Sequence, residues 1–196
     1  MRRMPIGLLS LLLGALLTLM TAPVADAVPP QDDGSHAGAT DTIVGRWEAL
    51  RKCSDMVRAF DTQGLGALAP VVLGDYFPDA TLEELAAKDN VCSGAKPQLH
   101  YHFFTTDGFF GSLDQHQNQV DDGTYTVVDS DTIRIGDSEV FDFRIQGATL
   151  QLTPRITEEQ RQFALSHPTE FTEAVHMVAV AVQGINWKHV PCQGWC

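Results

Sequence analysis

The chain has 196 residues, with 25 Asp and Glu against 13 Lys and Arg, a formal charge of −12 and 44% hydrophobic residues. An acidic surface of this kind repels polyanions, which argues against nucleic acid and anionic membrane surfaces as partners. The length and apolar content are those of one folded domain with a substantial core.

In chain order, residues 1–27 read as an export signal. Arg2 and Arg3 precede an apolar run from Ile6 to Met20, and Ala25-Asp26-Ala27 offers a small-residue cleavage site. The run is too short, and wrongly flanked, for a membrane span. No cysteine near the cleavage site is placed to carry a lipid. The expectation is a secreted protein of the extracellular space or cell envelope. Loss of Arg2, Arg3 and Asp26 takes its charge to about −13. Residues 28–41, VPPQDDGSHAGATD, have almost nothing to bury and read as a flexible leader. Residues 42–196 make the domain.

The domain opens with a strand around Trp47. Cys53, Met56, Val57 and Phe60 then recur at i, i+3, i+4 and i+7, one face of a helix. The stretches GLGALAP and DYFPD read as turns with some helical character. Thr81-Leu82-Glu83-Glu84 is a capping box opening a short helix over 82–88. Residues 51–95 thus form a helical insert. From 98 to 154 the period changes to two. Phe141, Phe143 and Ile145 alternate with polar residues, as do Ile133 with Ile135 and Leu150 with Leu152. Asp107-Gly108, Asp122-Gly123, Gly136-Asp137 and Gln146-Gly147 punctuate them as hairpin turns, giving an antiparallel meander. Glu158 and Glu159 suit the first turn of a helix, where they complement its dipole. The stretch TEFTEAVHMVAVAVQ is helical in pattern, but β-branched enough from Val175 to leave a strand open. Gly184 stops it, and INWKHVP reads as the last strand.

A strand bearing Gly45-x-Trp47, a meander, then a helix before a final strand is similar to the lipocalin (calycin) plan. The stretches FGSLDQHQNQVDDGTYTVVDSDTIRI and AVQGINWKHVPC resemble uncharacterised secreted bacterial proteins of lipocalin-like type. The resemblance implies an antiparallel up-and-down β-barrel with helical additions, in which the Trp packs under one end. It departs from the family in the insert at 51–95 and in Lys188, which stands where an arginine usually packs on that Trp.

Four cysteines in an exported chain read as structural disulfides. In a meander of this order, Cys53 and Cys92 meet at the rim shared by the first two strands. Cys192 and Cys196 lie together at the opposite rim. The alternation in QLHYHFF puts Leu99, Tyr101 and Phe103 on one face and His100, His102 and Phe104 on the other. The first set is the more apolar, so it is assigned to the interior, and the histidines to a solvated or helix-covered face. A zinc site would need a third ligand, for which His116, His176 and His189 are the candidates. The adopted reading has no metal and no cofactor. In DQHQNQVDDG, Asp114, Asn118, Asp121 and Asp122 lack the regular spacing of a calcium loop and read as a polar hairpin. No nucleophile elbow and no phosphate loop is present, so the chain reads as a non-enzyme.

The expected function is binding of a small hydrophobic molecule by Tyr101, Phe103, Tyr125, Phe141, Phe143 and Ile145 inside the barrel. An eight-stranded barrel has room either for its own side chains or for one ligand. The alternative is therefore a ligand-free interaction module with a filled barrel, and a metal-dependent enzyme comes third.

Overall fold

A computed structural model describes residues 42–192. The readings made above for residues 1–41, signal and leader, lie outside the described residues. Eight strands form one closed barrel in which each strand pairs with its neighbours in sequence and the last with the first. They are β1 (Gly45–Arg51), β2 (Gln98–Phe104), β3 (Phe109–Leu113), β4 (Gln119–Asp129), β5 (Thr132–Ile135), β6 (Glu139–Gln146), β7 (Thr149–Pro154) and β8 (Trp187–Val190). Every pairing is antiparallel, including the β1–β8 seam that closes the barrel. The up-and-down meander read from the period-two alternation is the fold.

Between β1 and β2 lie α1 (Cys53–Thr62), a 3-10 helical segment Gly66–Tyr76 and α2 (Leu82–Ala86). The Cys53–Cys92 disulfide ties this insert to itself, as expected. Cys192 is also disulfide-bonded; the expected pairing with Cys196 falls on a residue outside the described ones. The buried face of α1 is Cys53, Met56, Ala59 and Phe60. The Thr81–Glu84 capping box is formed in both directions, backbone N–H to Thr81 and Thr81 N–H to the Glu84 carboxylate. Between β7 and β8 come α3 (Glu158–Ser166), opened by a second capping box from Thr157 and Gln160, and α4 (Glu173–Ala181). α4 buries Ala174, Val175, Met177, Val178, Val180 and Ala181. An apolar helix buried on most sides suits the mouth of a barrel, under other helices.

The face of β2 is the reverse of the expectation. Trp47 and Ala49 of β1 pair with His102 and His100, and this whole set is buried. His100, His102 and Phe104 point inward, so Tyr101 and Phe103 belong to the outer face. Apolarity of a strand's two faces did not decide the matter, because both are covered. Outside, the Arg46 guanidinium lies 4.2 Å from the centroid of the Tyr101 ring, a cation–π contact. Phe103 is 1% exposed because its ring lies across Gly111. Inside, Tyr125, Phe141 and Phe143 are buried as expected, with Ile145 packed against the same core.

At the end of the barrel away from the helices, Phe104 is flanked by Phe110 and Tyr125 at ring separations of 5.2 and 5.1 Å. The Tyr125 hydroxyl donates to the Thr105 carbonyl. Trp47 donates its indole N–H to the Ile43 carbonyl at 2.8 Å. Its ring meets the edge of His189 at 5.0 Å, so the neighbour of the Trp is His189, while Lys188 is exposed. Gly45 is needed here: at φ +137, a Cβ would lie 2.6 Å from the His189 ring.

Candidate functional site

At the other rim the barrel meets α1, the 3-10 segment and α4, and three interior side chains hold the end of α4. The last carbonyls of a helix have no partner within it. Here Ala179 accepts from Arg51 at 3.5 Å, Val180 from His102 Nε2–H at 2.9 Å, and Ala181 from the Trp187 indole at 3.5 Å. His102 therefore carries its proton on Nε2, and its Nδ1 accepts from the Ser112 hydroxyl at 2.8 Å. Both nitrogens are used. Burial pushes its pKa down to about 3, outweighing the Val180 hydrogen bond, so the ring stays neutral. His102 is a docking group for α4, with Trp187 against its ring at 4.0 Å.

His176 of α4 does the reverse. Its Nδ1 lies 2.6 Å from Glu139 of β6 and its Nε2 2.9 Å from Asp121 of β4. Burial opposes the charge, but the hydrogen bonds to Asp121 and Glu139 outweigh it and raise the pKa to about 10. The ring is an imidazolium donating to two carboxylates, and it clamps α4 to two strands.

Beside these contacts opens a cleft of about 330 Å³. Val71, Val72, Val120, Phe171 and Ala179 supply an apolar wall, and Arg51, Asp75, His100, Asp121 and His176 its polar groups. Strand alternation places Arg51 on the inward face of β1 with Trp47 and Ala49. Burial lowers its pKa, against the pull of Tyr76 and Asp75, yet a guanidinium remains charged in a protein. His100 is held neutral by burial, then by Arg51 and His102. Its ring makes no hydrogen bond to any described residue and has only edge contacts with His102 and Trp187, at 5.4 and 6.1 Å.

The residues expected to hold a ligand fall elsewhere. Tyr125, Phe141, Phe143 and Ile145 belong to the barrel core, Tyr101 and Phe103 to its outside, and none lines the cleft. Among the candidate third metal ligands, His116 sits in an exposed hairpin, His189 beside Trp47, and His176 between its two carboxylates. No group of three or more His, Cys, Asp or Glu is arranged to hold a metal among the described residues. Asp114 accepts from the backbone N–H groups of His116 and Asn118, which is the turn chemistry read from the sequence. Arg51 and Asp75 were not singled out from the sequence. The period-two pattern Trp47-x-Ala49-x-Arg51 carried the signal for the first, and nothing local carries it for the second. No helix among the described residues is long and apolar enough to cross a membrane.

Comparison with protein-family models, curated proteins and solved structures finds no match to this chain.

Proposed function

We propose that this is an exported, lipocalin-like binding protein that takes up a small, mostly apolar molecule and performs no chemistry on it. The molecule sits in the cleft between the barrel rim and the helices, not among the rings of the barrel centre. The observation that carries this reading is the cleft itself. Its 330 Å³ lies within the ordinary range of small-molecule sites of ~300–1,000 Å³. It combines an apolar wall with a few convergent polar groups, the usual composition of such sites. The family likeness and the export belong to the same proposal, supported by the up-and-down barrel, Gly45-x-Trp47 and the Cys53–Cys92 disulfide.

The second reading, an interaction module without a ligand, is favoured by one feature. Trp47, Phe104, Phe110, Phe141 and Trp187 are packed in one continuous core through the barrel. Titration of the exported protein with Nile red, a neutral environment-sensitive probe, separates the two. The binding reading expects saturable fluorescence at one site per chain, abolished by Val71→Trp, which fills the cleft from its edge. Absence of saturable binding, with native mass spectrometry showing an empty protein, leaves the interaction module.

A further inference from the structure

The Arg51 side chain is 6% exposed, yet its charge is barely met. Its Nε has no acceptor, Nη1 reaches the Ala179 carbonyl only at 3.5 Å, and Nη2 stands 3.9 Å from Asp75. That last carboxylate is 71% exposed, so water holds most of its attention. A buried guanidinium normally has paired, hydrogen-bonded partners, because taking the ion out of water is costly. The other carboxylate that lines the cleft, Asp121, is already occupied by His176. One strand over on the same inward face, His100 offers an imidazole with no hydrogen-bond partner to the same cleft.

We infer that the molecule held in the cleft is an amphiphile whose anionic group, a carboxylate or a phosphate, docks on Arg51 and His100. The inference rests on the cleft being the binding site. The planar guanidinium presents parallel N–H donors that match either oxyanion. The neutral His100 adds one donor, and Val71, Val72 and Phe171 receive the apolar body. Asp75 is then the competitor for Arg51, a solvated carboxylate that an incoming anion displaces.

The test is isothermal titration of the purified exported protein with octanoate, octyl phosphate and octanol. The two anions are expected to bind at least about tenfold more tightly than the alcohol, as a charge-assisted hydrogen bond implies. The tighter of the two identifies the head group. Arg51→Met should erase that preference. Because Arg51→Met also loosens α4, Asp75→Asn provides the second arm, a change on an exposed side chain. It should tighten the anions roughly threefold to tenfold by removing the competing charge and leave octanol unchanged. If octanol binds as well as octanoate and Asp75→Asn alters neither, the anionic head group is overturned while the cleft stands. If none of the three binds, the cleft is not the site, and both readings fall together.

Discussion

Two buried neutral histidines in one barrel make its stability fall steeply in mild acid. Unfolded, His100 and His102 titrate near the ordinary value of about 6.5. Folded, burial holds His102 down to about 3 and His100 lower still. A base depressed in the folded state leaves stability intact above the unfolded value. That stability is lost as pH falls from there toward the folded value, since only the unfolded chain takes up the proton. Between pH 6 and pH 5 the unfolded chain holds close to two protons more than the native one, which amounts to a loss of about 2.5 kcal/mol. This window lies above the range in which carboxylates dominate acid unfolding. His102→Gln removes one of the two protons and keeps an N–H that can reach the Val180 carbonyl. Urea unfolding at quarter-unit steps of pH should give a less stable variant with about half the wild-type slope. A wild-type stability flat from pH 6 to 5, or a variant with undiminished slope, would refute the buried-neutral assignment.

His176 acts in the opposite window. Its raised pKa contributes stability that is full below about 6.5 and lost as pH rises through about 10. Replacing it by Gln should therefore cost about 2–3 kcal/mol at neutral pH, discounted for its partial exposure, and flatten the alkaline limb of the urea-derived stability curve. The Cys53–Cys92 bond spans 39 residues. Its removal by paired Ser substitutions should lower stability by about 4 kcal/mol on the chain-entropy account, read as a lowered urea midpoint. A Cβ at Gly111 would lie 2.3 Å from Phe103, so Gly111→Ala should cost about 1–3 kcal/mol in thermal unfolding. Far-ultraviolet circular dichroism should meanwhile remain that of the native barrel.

The strands were legible because each half-buried hairpin repeats the same local message, apolar residues every second position and a Gly or Asp turn between. Phe141–Phe143–Ile145 and Leu150–Leu152 needed nothing more. The Cys53–Cys92 pair followed from strand order alone. The facing of β2 was not legible, because a choice between two covered faces depends on register with Trp47, a residue more than fifty positions away. The same distance hides the site. His102 looks like a surface residue until the carbonyl of Val180 is brought to it. Arg51 looks like the end of a strand until α4 and the 3-10 segment close over it. In α4, β-branched residues left a strand open, and burial in the barrel mouth selects the helix over propensity.

The hooking of α4 by Arg51, His102 and Trp187 also orders events in time. These donors come from β1, β2 and β8, the strands at and beside the closing seam. α4 precedes β8 in the chain, so the helix must be seated as the final strand zips against the first. Until then β1 and β7 are unpaired edges, open to other chains, and the donors inside have no acceptors. A chain that emerges N-terminus first therefore stays an unsealed barrel until β8 arrives. Such long-range closure makes folding slow and places the risk of aggregation in the interval before β8 pairs with β1. In the finished molecule, the seam and the plug should open as one unit.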